Sequence, residues 1–170
     1  LIIQTAFIGD VVLSTALIEK LHVYFPDAQI DFLVRKGNEN LLANNPNIKS
    51  VLIWDKKKSK YKNLFQLLKI IRSNQYNKVI NVQRYFATGL LTAFSGAKEK
   101  IGFDSNPLSF LVTKKIKHEL ISSSSRHEVE RNNDLIASFT DNKISKPKLY
   151  PSQSDFNAIV KYSNSLYITV

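Results

Sequence analysis

An α/β fold built on a parallel sheet is what the sequence predicts, and three observations carry the prediction. Short apolar segments of strand length alternate with longer ones whose apolar residues recur at helical spacing, the pattern of strand, crossover helix and strand. Turn formers such as Phe25-Pro26-Asp27 and Asn45-Pro46-Asn47 punctuate the alternation. The chain has 170 residues, 44% hydrophobic and 22% charged, which suits about one domain with a real core and is too apolar for disorder. Right-handed crossovers then cover both faces of the sheet with helices, a Rossmann-like arrangement.

The elements follow in order. Leu1, Ile2, Ile3 and Gln4 form a strand, and Thr5-Ala6-Phe7-Ile8-Gly9 is the turn after it. Asp10 precedes a helix over 11–24 with Leu13, Leu17 and Leu21 on one face, so it reads as the N-cap. Residues 29–34 alternate as a second strand, a short helix is expected over 38–44, and 50–54 is a third strand. After the basic linker 55–62 comes an amphipathic helix with the stripe Leu64, Leu67, Leu68 and Ile71, then a strand over 78–82 and a helix over 86–94. Ile101-Gly102-Phe103 reads as a strand, whereas 107–113 is ambiguous. The serine run 122–125 reads as a mobile loop. A helix over 127–139 offers Val129, Leu135, Ile136 and Phe139 for burial. Residues 143–151, with two prolines, resemble a linker, followed by a helix over 152–162 and a new strand over 166–170. The domain boundary is placed there: 1–145 forms one Rossmann-like domain, and 146–170 is the linker and the start of another.

Composition excludes several chemistries. With no Cys, disulfides, thiolate metal sites and cysteine nucleophiles are absent, and three His without paired spacing provide no metal site. No run approaches the roughly 18 apolar residues of a membrane span. The chain lacks Met, opens on one strand and stops in another, so it reads as a piece of a longer protein. Its net charge of +10 is localised: residues 55–118 carry 14 Lys and Arg against 3 Asp and Glu, while the flanking segments are near balance. Such an excess fits any polyanion, including phosphorylated lipid or a membrane surface. Nucleic acid is not expected, because Trp54, Tyr61 and Phe65 have no regular spacing with the basic residues and read as core or loop anchors.

The turn after the first strand is where chemistry is expected. In open parallel sheets ligands bind beyond the carboxyl ends of the strands, where helix N-termini present free N–H groups. One Gly stands where a dinucleotide fingerprint needs three, and no P-loop occurs. Asp10 has two readings. As an N-cap it contributes about 1 kcal/mol to its helix. As a carboxylate at the cleft mouth it is a general base, its ionised form favoured by the helix dipole.

The runs Ile3-Gln4-Thr5-Ala6-Phe7-Ile8-Gly9-Asp10-Val11-Val12-Leu13-Ser14-Thr15 and Phe25-Pro26-Asp27-Ala28-Gln29-Ile30-Asp31-Phe32-Leu33-Val34 resemble the amino-terminal half of the family 9 glycosyltransferases, the lipopolysaccharide heptosyltransferases. Asn45-Pro46-Asn47-Ile48, Val82-Gln83-Arg84, Ser95-Gly96-Ala97-Lys98, Lys100-Ile101-Gly102-Phe103 and His127-Glu128-Val129-Glu130-Arg131 resemble that family's landmarks in the same order. The resemblance spans nearly the whole chain. It implies half of a GT-B enzyme, inverting and metal-independent, whose amino-terminal domain takes the acceptor. It also implies heptose transfer from ADP-heptose to the lipopolysaccharide inner core, with no cofactor besides the nucleotide-sugar donor, in the cytoplasm at the inner-membrane periphery. An anionic membrane surface would be a further partner.

By the same resemblance Asp10 matches the catalytic base, and Thr5 and Gly9 match substrate-binding positions of its loop. Arg84 matches a residue for an acceptor carboxylate or phosphate, its other reading being a solvated charge at a strand end. Asn81 and Ala87 depart from the family pattern, which has Asp and Arg there. Lys56, Lys57 and Lys58 are either a solvated loop or a holder of the anionic acceptor, extended by Lys114, Lys115 and Lys117. His127 and Arg131 begin a helix, Arg131 pairing with Glu128 or His127, and the resemblance adds a cleft-lining role. From another class stands a non-catalytic Rossmann-like domain binding a polyanion through 55–118.

Overall fold

The computed structural model describes residues 1–118 and 126–163. The serine run 122–125 and the expected strand 166–170 lie outside the described residues. Six strands, β1 (Ile2–Ile3), β2 (Asp31–Arg35), β3 (Ser50–Trp54), β4 (Lys78–Asn81), β5 (Glu99–Phe103) and β6 (Lys114–Ile116), form one sheet in the order β3-β2-β1-β4-β5-β6. Every pairing is parallel, with Ile2 of the central strand in register with Phe32 on one side and Ile80 on the other.

The period-two alternation of the strands divides the core between the two faces. Ile2, Phe32, Val34 and Ile80 pack with Leu17, Ile18 and Leu21 of α1 (Ile8–Tyr24) and with Leu135 and Ile136 just beyond α4 (Glu128–Asp134). Ile3, Leu33 and Val79 point the other way, onto Leu64, Leu67 and Ile71 of α2 (Lys60–Ser73) and Leu91 of α3 (Phe86–Ala93). The last helix, α5 (Gln153–Ser163), leaves Phe156 and Ile159 exposed. Because α1 and α2 lie on opposite faces, the strand order reverses between β1 and β4. The crevice of an open α/β sheet forms at that reversal, beyond the carboxyl ends of the strands.

Three expectations change in detail, and one strand stands where none is expected. α1 starts at Ile8, so Asp10 is its third residue and not its N-cap. Phe7 takes the cap position in extended conformation, and the Asp10 carboxylate reaches back to accept from the Phe7 N–H at 3.1 Å. The helix expected over 127–139 stops at Asp134, and a 3-10 turn follows at Ala137–Phe139. The adjacent Asn132 and Asn133, both buried and both poor helix formers, accompany the break. Residues 38–44 hold only a 3-10 turn at Glu39–Leu41. β6 has no apolar alternation in its Lys-Lys-Ile sequence and is a short lysine-bearing edge strand.

The segment read as a linker is strapped along α1. Lys20, 2% exposed, donates to Asn133 Oδ1 at 2.7 Å and to the carbonyls of Asp141 and Lys143 at 2.6 Å each, and pairs with the Asp141 carboxylate at 2.8 Å. Farther along, the Lys148 N–H donates to Thr15 Oγ1 and the Tyr150 hydroxyl to Glu19 Oε2, both at 2.9 Å. A buried ammonium is tolerated here because each of its protons has an oxygen.

Candidate active site

The floor of the crevice is built where β1 and β4 end. Thr5, fully buried, donates its hydroxyl to Gln83 Oε1 at 2.6 Å. Gln83 is itself fixed by its backbone: Asn81 Oδ1 accepts from its N–H at 2.9 Å, and Asn106 Nδ2 donates to its carbonyl at 3.2 Å and to that of Tyr85 at 3.0 Å. Asn106 reaches these carbonyls by crossing Gly89, where a Cβ would stand 2.2 Å from its Oδ1. Asn81 serves here as the clamp of the turn after β4.

One rim is the loop from Thr5 to Gly9. Gln4 Oε1 accepts from the Ala6 N–H at 3.2 Å, Asn38 Nδ2 donates to the Ala6 carbonyl at 3.1 Å, and Lys56 Nζ donates to the Thr5 carbonyl at 2.7 Å. This loop delivers Asp10 on the first turn of α1. Asp10 Oδ2 is taken by the Phe7 N–H, whereas Oδ1 has no hydrogen bond among the described residues. Gly9 is exposed, and an added Cβ would meet nothing within 4 Å. The protein itself therefore does not require a glycine there for space.

Beside this rim a cleft of ≈ 580 Å³ opens between the loop, α2 and the start of α3, with Arg35, Lys56 and Lys60 along it and Phe7, Tyr61 and Tyr85 among its walls. Lys56 lies over the Trp54 ring at 4.7 Å, and the Arg35 guanidinium over the Phe7 ring at 5.0 Å. Burial, reinforced by the neighbouring Arg35 and Lys60 charges, lowers the Lys56 ammonium to about 8. A second cavity of ≈ 620 Å³ lies at the amino ends of the strands, against Asp31, Ser50 and Lys78, on the opposite side from Asp10.

The structure thus separates the lysines that the sequence grouped. Lys56 is engaged with the loop backbone. Lys57 and Lys58 are exposed, their backbone N–H groups resting on Asp55 Oδ1 at 2.9 and 3.2 Å. Asp55 is held down to about 2, first by its bond from Lys36. Trp54 is a core residue, as the sequence suggested, but Tyr61 and Phe65 are exposed and neither anchors the core. Their helix turns Leu64 and Leu67 inward, which leaves positions 61 and 65 on the outer side.

Arg84 is exposed at the end of β4. Its charge reaches His118, whose imidazole is held below its ordinary pKa by burial first and by Arg84 next; Glu128, Arg131 and Asp104 act on the same ring. Arg84 and the start of α4 are therefore brought to one end of the sheet. His127 caps α4, its Nδ1 accepting from the Val129 N–H at 3.3 Å. Arg131 bonds Glu128 through Nε at 3.1 Å and the Arg126 carbonyl at 2.5 Å. Both side chains are occupied in forming the helix start. Arg35 is not singled out by the sequence, and Gln83 enters only within the run Val82-Gln83-Arg84; the signal available for Arg35 is its position at the carboxyl end of β2. Among the described residues no three His, Asp or Glu side chains are grouped to hold a metal, and no helix is long and apolar enough to cross a membrane.

The family model for glycosyltransferase family 9 (heptosyltransferase) matches residues 64–164, more than half of the chain. The chain belongs to glycosyltransferase family 9. Lipopolysaccharide heptosyltransferase 3 of Escherichia coli is 32% identical over 102 residues, covering 58% of this family 9 chain and 30% of that protein. The family 9 glycosyltransferase structure from Veillonella parvula superposes with a TM-score of 0.80 at 20% identity, over 99% of this chain and 49% of that one. The E. coli ADP-heptose lipopolysaccharide heptosyltransferase II structure gives 0.71 at 18% identity, over 96% and 50%. The family 9 chain spans roughly a third of the matched relative's length and about half of each solved chain. The Rossmann-like sheet is the one these GT-B enzymes share.

Proposed function

We propose that residues 1–145 are the acceptor-binding half of an inverting, metal-independent heptosyltransferase, with Asp10 as general base. The observation that carries this reading is the carboxylate on the rim of the crevice: one oxygen anchors the loop, and the other is left without a partner among the described residues. In the reaction so assigned, Asp10 takes the proton of an acceptor hydroxyl as that oxygen attacks the anomeric carbon, and the bond from that carbon to the nucleotide's phosphate oxygen breaks with its electron pair. The donor is ADP-heptose, held by a donor-binding domain that starts within 146–170, after the linker. The acceptor is an inner-core lipopolysaccharide precursor, and the enzyme works in the cytoplasm at the periphery of the inner membrane. The names of the relatives support the substrate class, and the local excess of basic residues supports an anionic acceptor and lipid surface.

Arg84 is the residue assigned to an acceptor carboxylate or phosphate, since it is exposed on the same end of the sheet and a guanidinium binds such groups bidentately. Thr5 and Gly9 are the positions of the Asp10 loop assigned to substrate, the Thr5 hydroxyl itself being committed to Gln83 Oε1. The test is Asp10→Asn in the full-length protein. Transfer from ADP-heptose should fall by about 10² or more, the usual size of a general-base contribution, with the unfolding midpoint within a few degrees of the parent. Undiminished transfer would remove Asp10 from the reaction.

A further inference from the structure

The loop that carries Asp10 hangs on a lysine. Of the side chains that donate to the backbone of residues 5–7, Asn38 and Lys56, only Lys56 is charged, and its 2.7 Å bond to the Thr5 carbonyl joins two loops 51 positions apart. A charged donor bonds a carbonyl about twice as strongly as a neutral one. That ammonium has a poor place to be charged. It sits in the cleft with Arg35 from the end of β2 and Lys60 from α2, and both oppose its charge. None of the three cations pairs with a carboxylate among the described residues. Asp55, next in sequence, is committed to Lys36, and Asp10 to the Phe7 N–H. The other titratable groups on the cleft wall are Tyr61 and Tyr85. Three cations with aromatic support and no internal counter-charge make a site for an anion supplied from outside.

We propose that Lys56 is a positioning residue that latches the Asp10 loop, and that an anionic group of the acceptor, a phosphate or carboxylate seated between Arg35, Lys56 and Lys60, sets the latch. This rests on the reading of Asp10 as the base. The acceptor would then do two things in one place: it fills the cleft, and by supplying the missing negative charge it keeps Lys56 protonated and the loop beneath Asp10 fixed. Linkage makes the effect reciprocal, so the anion binds more tightly at a pH where Lys56 is already charged. Free Lys56, at about 8, lies within reach of physiological pH, which is what makes the latch responsive.

The experiment is a side-chain NMR titration of ¹⁵N-lysine protein, with the Lys56 resonance identified by its loss in Lys56→Arg. Without ligand, Lys56 should titrate near 8; inorganic phosphate should raise it by about one unit or more, and Arg35→Gln should abolish that rise. In the full-length protein, Lys56→Met should lower kcat on the order of tenfold or more through a displaced base, with KM for ADP-heptose unchanged. Lys56→Arg, which cannot deprotonate, should restore kcat and remove the fall in rate as pH passes 8. A Lys56 resonance indifferent to phosphate, or full kcat in a folded Lys56→Met protein, would overturn the latch. If Asp10→Asn is inactive while these fail, only the latch falls; if Asp10→Asn is active, the base assignment and the latch's role in positioning it both fall, and a phosphate-induced Lys56 shift supports the anion site alone.

Discussion

A single hydroxyl joins the two strands that frame the crevice. Thr5→Val keeps the shape of the side chain and removes the donor to Gln83 Oε1, which lies buried. Leaving such an acceptor unpaired costs about 1–3 kcal/mol, so urea unfolding of the variant should show a lower midpoint at an unchanged slope. Residues of this kind were only half legible in the sequence. Asp10 could be placed at the start of a helix from the apolar spacing at Leu13, Leu17 and Leu21. Its exact station could not, because a backbone N–H at Phe7 satisfied from the third helical residue leaves no side-chain signature at the cap. The lysine run shows the same limit. Three identical side chains in a row become one half-buried donor and two exposed charges, and only the fold says which faces inward.

Between elements, the strap along α1 decides most of what sequence reading missed. Proline-containing and without periodicity, 143–151 has the composition of a free linker; its attachment to Lys20, Thr15 and Glu19 depends on a helix more than a hundred positions away. Lys20→Met should cost about 1–3 kcal/mol, because it leaves the buried Asn133 Oδ1 without its donor, and should speed amide exchange across 141–150. The acid side supplies a second reading. Lys20, then Tyr24, holds Asp141 down to about 2 from an ordinary 3.8, so its stabilising effect is present above pH 4 and is lost as pH falls from about 4 to 2. In Lys20→Met that acid-dependent loss should shrink. The longer elements were legible because their apolar periods match the two faces of the sheet, as the stripe Leu64, Leu67 and Ile71 shows. β6 was not, since an edge strand is defined by a partner and needs no pattern of its own.

Over the whole molecule, charge is distributed unevenly, and the excess in 55–118 converges on the carboxyl ends of the strands only in part. Lys57 and Lys58 contribute to the general field, each worth about 1 kcal/mol beside an anionic lipid surface. If the acceptor is lipid-borne, as proposed, replacing both by Ser should raise its KM about thirtyfold at low ionic strength, with the effect shrinking as salt screens it, and should leave kcat alone. Initial rates at two salt concentrations check this. Exposed aromatic residues beside the cleft, Tyr61, Phe65, Tyr85 and Phe86, could not be foreseen as a group, because they come from α2 and from the start of α3, which sequence spacing keeps apart.

The strap has a mechanical consequence. α1 is gripped at its first turn by the Asp10–Phe7 bond and along its body through Thr15, Glu19 and Lys20. A pull on the chain at Tyr150 is therefore carried along α1 to the loop from Thr5 to Gly9, and it is not absorbed by slack in 143–151. The last bond that ties the strap to α1 is at Tyr150, so a displacement of Tyr150 is felt by the helix that presents Asp10.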